Sequence, residues 1–265
     1  MPASSKLLAA SVAAVGIGVV AARVASNMAR PKYILHVYDH CPFCNRVEYL
    51  MQHFGLEYNR VVYAYGAGAK PDVHGYESAD SPLFLTGKKM LPVLVGDGVP
   101  VMEGAIGMPE SMEICAFLIA RHRLVVPCDS GRPDVKKFTA ELTALKPELV
   151  DGPDASRMVR MPVKDWEDPR DVHYRRHKKG FSLEPPPVVS QPEPLARLNA
   201  KLRELPALLR GGTCLNAWGW GIDDVLLLPN LRAFTVVKGA KFPPEVVAYM
   251  AFEGSQMMDY RPHAL

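Results

Sequence analysis

Two cysteines, Cys41 and Cys44, enclose Pro42 and Phe43, a spacing that suits two kinds of chemistry. As a dithiol, one sulfur attacks a disulfide as its thiolate and the other resolves the mixed disulfide that forms. As a metal site, the pair needs two further ligands, because structural zinc is four-coordinate. Cys115, Cys128 and Cys214 stand apart in the chain and form no second Cys-x-x-Cys. The pair therefore reads as a redox centre without metal.

The elements around the pair assign a role to each thiol. A β-branched and aromatic run ends at Asp39, and Phe43, Val47, Leu50, Met51 and Phe54 then recur at helical spacing, with Gly55 placed to stop the helix. Pro42 falls at the first helical position, where its fixed φ suits the helix and its missing N–H costs nothing. A sulfur at that turn faces unpaired amides and the positive end of the helix dipole. Cys41 is thus expected to be the acidic, attacking thiol, and Cys44, one turn further in, the resolving one. His40 has two readings, a cation beside the thiolate or a solvent-facing loop residue.

The whole chain has 265 residues, 48% hydrophobic and 22% charged, which predicts a globular protein of one large or two small domains. A formal charge of +3, with no basic stripe interleaved with aromatics, argues against nucleic acid as a partner. Five cysteines are too few for a disulfide framework at this length, so the folded part belongs in a reducing compartment.

Residues 1–31 form a separate segment. Positions 7–22 are uncharged and apolar, flanked by Lys6 and by Arg23, Arg30 and Lys32. A retained membrane anchor, a mitochondrial presequence and a cleaved secretory signal all share such features. The run is apolar all round, which suits an anchor; the absence of acidic residues before Asp39 suits a presequence. With more positive charge on its C-terminal flank, an anchor would leave the redox domain on the cytoplasmic or matrix side, and a mitochondrial inner membrane fits.

Residues 32–123 read as the first domain. A second strand is expected over 57–63, followed by a long connection punctuated by Gly66, Gly68, Pro71 and Pro82. The run 87–95, the turn Gly96-Asp97-Gly98 and the apolar stretch 99–102 read as a hairpin. Pro92 cannot donate to a sheet ladder, and a cis proline facing the thiol would account for it. Ser111 is expected to cap a helix whose apolar stripe is Met112, Cys115, Ala116 and Ile119, with Cys115 a small core residue.

Residues 124–133 have linker composition, and 134–265 read as helical, with helices at 134–145, 195–209 and 222–237, the last bent by Pro229. Gly221 precedes the last of these helices, with Asp224 three residues on, so a capping box is half present. Trp218 and Trp220 are expected to pack. The basic run Arg175-Arg-His-Lys-Lys179 reads as a solvated helix face, with anionic lipid as the alternative contact.

Tyr38-Asp-His-Cys-Pro-Phe-Cys44, the stretch 87–94 with Leu91-Pro92, Met108-Pro-Glu-Ser-Met-Glu-Ile114 and Leu226-Leu-Leu-Pro-Asn-Leu-Arg-Ala-Phe234 together resemble the bacterial type 2 glutaredoxins, over most of 33–250. The resemblance implies an α/β thioredoxin-like N-terminal domain followed by an all-α, glutathione-transferase-like C-terminal domain, acting on glutathione mixed disulfides with glutathione as co-substrate. It makes Cys41 the nucleophile and Cys44 the resolving thiol. Leu91 beside cis-Pro92 would bond the cysteinyl part of glutathione, and Glu110 with Ser111 would hold its γ-glutamyl end. A hydroxyl and free amides at a helix start do suit a carboxylate, and an acid suits an ammonium.

Two stretches, 65–86 and 96–107, are longer than the family's compact versions. With the expected anchor and the proline-rich stretch 184–194 they leave room for an accessory subunit of a large membrane complex that keeps the fold, and the apolar N-terminal segment paired with Cys-Pro-Phe-Cys leaves room for a glutathione transferase or isomerase similar to the membrane-associated type 2 prostaglandin synthases. Glu110-Ser111 matches the glutaredoxins better.

Overall fold

Tyr-Ile-Leu-His-Val forms β1 (Tyr33–Val37), four of whose five side chains are buried, as expected of a β-branched and aromatic run at the centre of a sheet. The computed structural model describes residues 33–70, 76, 81–127, 131–251 and 255–265. The apolar run at 7–22 and Cys128 lie outside them. Among the described residues no helix is long and apolar enough to cross a membrane.

From β1 the chain turns through Cys41 into α1 (Pro42–His53), with Pro42 in the first turn and Gly55 at φ +61° just beyond the end. β2 (Tyr58–Val62) pairs in parallel with β1, Tyr33 opposite Tyr58. After a short helix α2 (Leu83–Thr86), β3 (Val93–Gly96) pairs antiparallel on the other side of β1, Leu35 opposite Leu94. β4 (Met108–Pro109) completes the order β2-β1-β3-β4 and leads into α3 (Ser111–His122), which packs on α1. This β-α-β then β-β-α arrangement is the thioredoxin-like domain. Pro92 immediately precedes β3, so the ladder needs no N–H from it, and the Leu91–Pro92 bond is cis.

Two local expectations change. The partner of β3 is Met108–Pro109 rather than 99–102, which is exposed at Val101 and Met102. The cause is Gly107: a Cβ there would lie 2.5 Å from Val93 and 2.7 Å from Val95, so only glycine lets the returning chain close onto β3. Ser111 is the first helical residue rather than the cap, and Glu110 takes the cap position at φ +71°.

The second part is helical: α4 (Pro133–Ala144), α5 (Lys146–Leu149), α6 (Pro169–Lys178), α7 (Pro192–Leu208), α8 (Ile222–Phe234) and α9 (Pro244–Met250). α7 begins earlier than its apolar periodicity because Pro192 and Pro194 are accepted in a first turn whose N–H groups have no helical partner. α8 ends earlier, at Phe234, and the Thr235 amide at 3.0 Å and hydroxyl at 2.7 Å both donate to the Arg232 carbonyl there.

At the start of α8, Asp224 accepts from the Gly221 amide at 2.7 Å, the Leu215 amide at 2.9 Å and the Tyr249 hydroxyl at 2.7 Å. No side chain fits at Gly221 itself, where a Cβ would lie 2.5 Å from the Asn216 amide and 3.0 Å from the Pro127 carbonyl. Trp220 packs, stacked on His53 with centroids 4.5 Å apart, whereas Trp218 is exposed.

The basic run is not a uniformly solvated face. Arg176 is buried and donates to the Ser182 and Pro153 carbonyls, and Arg175 pairs with Asp151. Only His177, Lys178 and Lys179 are exposed.

Candidate active site

Cys41 occupies the cap position of α1 with extended backbone angles, so its sulfur faces the first amides of the helix. Its pKa is lowered, first by a bond from the Cys44 thiol and then, against the cost of burial, by the amides of Cys44 and Phe43. Cys44 is fully buried, and burial followed by its bond to Cys41 pushes its own pKa well up. Of the two thiols, Cys41 is thus the one that gives up its proton first, and Cys44 the one that keeps it.

The turn that holds Cys41 is fastened from the second domain. Asp165, fully buried, accepts from the Asp39 amide at 2.9 Å and the His40 amide at 2.8 Å, and lies 2.5 Å from His40 Nδ1. His40 is therefore buried, packed against Tyr65 and Trp166 and engaged with Asp165, not a solvent-facing loop residue.

One step back, Arg232 of α8 reaches Asp39 twice, with Nη1 to the carbonyl at 2.7 Å and Nη2 to Oδ1 at 2.5 Å, and Nη1 also reaches Asn45 Oδ1 at 3.0 Å. Arg60 joins Asp39 at 2.6 Å to Glu48 at 2.5 Å, and the Tyr260 hydroxyl donates to Asp39. Burial alone would raise the Asp39 carboxyl, but Arg232 and Arg60 hold it well below the usual carboxylate range.

Sequence reasoning missed Asp165, Arg60 and Arg232 as parts of the site. Arg232 did leave a signal, since a lone arginine in an otherwise apolar helical run has to find partners if it is buried.

Two neighbouring cavities share Phe43, Met90 and Leu91 as a common wall. The smaller, about 230 Å³, is completed by Pro92, Glu110 and Ser111, so the four residues expected to hold glutathione are gathered in one place. Glu110 stands there at φ +71°, ψ 108°, a backbone conformation that costs a non-glycine residue about 1–3 kcal/mol and is concentrated at functional sites. The larger cavity, about 620 Å³, runs between the two domains and is lined by Cys41, Tyr38, Tyr65 and Lys89 among others. Cys41 is only 8% exposed, but what it exposes faces that cleft.

Residues 135–256 match the family described as glutaredoxin 2, C terminal domain. That stretch is similar to the C-terminal domain of glutaredoxin 2. Ahead of it, residues 40–121 match the N-terminal domain of glutathione S-transferases. Across both domains the chain is 23% identical over 217 residues to glutaredoxin 2 of Escherichia coli strain K12, covering 81% of this chain and 91% of that protein. The same figures hold for glutaredoxin 2 of E. coli O157:H7. In fold it is similar to glutaredoxin 2 of Salmonella typhimurium in complex with glutathione, with a TM-score of 0.67 and 20% identity over 88% of this chain and 99% of that one.

Proposed function

We propose that this chain is a glutathione-dependent thiol–disulfide oxidoreductase that reduces glutathione mixed disulfides. In this reading the glutathionyl half occupies the smaller cavity, with its γ-glutamyl carboxylate on Ser111 and the amides opening α3, its ammonium on Glu110 and its cysteinyl backbone on Leu91 beside Pro92.

The Cys41 thiolate attacks the glutathionyl sulfur, the substrate S–S bond breaks, and the partner leaves as a thiolate that takes up a proton. The Cys41–glutathione disulfide is then opened by Cys44 or by a second glutathione thiolate. The first route releases glutathione and leaves Cys41–Cys44 oxidised, to be reduced by two glutathiones; the second releases glutathione disulfide directly.

The observation that carries this reading is a depressed Cys41 thiol opening onto a cleft beside a cavity built from Leu91, Pro92, Glu110 and Ser111. An open cleft at a reactive sulfur also favours catalysis over the accessory-subunit reading, and a resolving thiol favours disulfide exchange over transfer.

Ser111→Ala and Glu110→Gln are each expected to raise KM for a small glutathione mixed disulfide about tenfold with a smaller change in kcat, as loss of a charge-assisted bond of about 1.4 kcal/mol predicts. An unchanged KM in both variants would remove the smaller cavity from the reaction.

The apolar run at 7–22 would tether this activity to a membrane on the matrix or cytoplasmic side. Its composition is the support for that. The full chain is expected to sediment with membranes and to need detergent for release, while residues 33–265 stay in the supernatant. Full chain recovered without detergent would end the tether.

A further inference from the structure

The larger cavity has a chemistry of its own. Five cationic side chains line it, Lys89, Lys146, Arg175, Lys178 and Lys179, against one carboxylate, Asp151. That carboxylate is already paired with Arg175. Asp165 and Asp171 partly offset the Lys89 charge, but neither lines the cleft. Asp165 is held by the Asp39 and His40 amides, and Asp171 by the Gly66 amide, the Tyr76 hydroxyl and the Asp168 amide. Among the described residues no carboxylate forms an ion pair with Lys89, Lys146, Lys178 or Lys179.

Lys89 is instead caged by neutral groups. Its ammonium lies 4.9 Å from the ring centres of Tyr38 and Tyr65 and 5.1 Å from that of Tyr174, and donates to the Tyr38 hydroxyl at 2.7 Å and to the Tyr65 carbonyl. Burial, and after it repulsion from Lys178, bring its pKa down to about 7 against the opposing pull of Asp171 and Asp165. The cations run from the floor, where Lys89 and Lys146 are half-buried, to the rim, where Lys178 and Lys179 are exposed at the end of α6. Charge spread over that path calls for more than one carboxylate.

We infer that this cleft selects the leaving half of the disulfide by negative charge, and that the preferred substrate is a glutathionylated cysteine flanked by acidic residues in a polypeptide. The inference rests on the disulfide-reductase reading above. When Cys41 attacks the glutathionyl sulfur, the electron pair of the broken S–S bond departs on the partner's sulfur. A thiolate therefore develops in a cleft already lined with cations, which favours its departure. The rim lysines act earlier, by steering an acidic segment toward Cys41.

The test uses the full chain and three glutathionylated peptides of equal length, with the central cysteine flanked by glutamates, serines or lysines. A fourth substrate is the small mixed disulfide of glutathione with mercaptosuccinate. At low salt kcat/KM is expected to be about tenfold or more higher for the glutamate peptide than for the lysine peptide, and the ratio should shrink toward one as salt is added. In the K178E/K179E variant the ratio should flatten or invert.

Equal rates for all three peptides, with the serine peptide well reduced, would overturn charge selection and leave the reductase reading standing. A gain for mercaptosuccinate as large as for the glutamate peptide would overturn the polypeptide preference in favour of small anionic disulfides. No turnover of the serine peptide or any other substrate would overturn the reductase reading and this inference with it.

Discussion

Replacing Cys41 by serine is expected to lower turnover of a small glutathione mixed disulfide by about a thousandfold or more, since the attacking atom itself is lost. Cys44→Ser should keep part of the activity, because a second glutathione can open the Cys41 mixed disulfide in place of the resolving thiol. The pair of thiols also predicts a difference that depends on pH. The Cys44 S–H bond is the foremost reason the Cys41 pKa is low. Cys44→Ala removes that donor, whereas Cys44→Ser keeps one. The rate of alkylation of Cys41, which rises with pH as the thiolate forms, should therefore move to higher pH in Cys44→Ala and move less in Cys44→Ser. Equal turnover in wild type and Cys41→Ser would eliminate the mechanism, and identical alkylation profiles in both Cys44 variants would show that the helix amides act without Cys44.

Loss of Arg232 has the largest expected effect on stability. Its guanidinium is buried and compensates the buried Asp39 carboxylate across the domain boundary, while also bonding the Asp39 carbonyl, Asn45 and the Met258 carbonyl. Arg232→Met leaves that carboxylate with Arg60 as its remaining cation, and breaking one side of a buried pair typically costs about 3–5 kcal/mol. Arg232→Lys should rescue little, because a single ammonium cannot span four acceptors. Denaturant unfolding of Arg232→Met, Asp39→Asn and the double variant measures the coupling: the double variant should be less destabilised than the sum of the singles. Strict additivity, or a loss under about 1 kcal/mol for Arg232→Met, would mean that the contact does not hold the turn. Because Asp39 precedes His40 and Cys41, the same variant should slow turnover by loosening the turn that presents the thiol.

The thiol pair and the Arg232 contact differ in how far each could be read from the chain alone. The strand, the turn and α1 are local: side-chain periodicity, Pro42 in the first turn and Gly55 after it act within a few residues, so placing Cys41 at a helix start required no knowledge of the rest of the molecule. The cavity formed by Leu91, Pro92, Glu110 and Ser111 was legible by another route, as a set of motifs in order rather than through any physical pattern in the residues themselves. Where local pattern met a close approach it misled. The stretch 99–102 looks like a strand, and Gly107 gave the pairing with β3 to Met108–Pro109.

What the amino-acid sequence determined by itself is thus the thiol pair, its position at a strand-to-helix turn and the order of a mixed domain followed by a helical one. Tertiary structure alone decided what holds and surrounds that pair. Asp165 meets Asp39 across 126 positions and Arg232 meets it across 193. Folding also split the basic run, turning Arg175 and Arg176 inward and leaving Lys178 and Lys179 on the cleft. The physical reason is one of range: helix and strand periodicities act between neighbours along the chain, whereas the partner of a buried charge is chosen by whichever group the folded backbone carries to it.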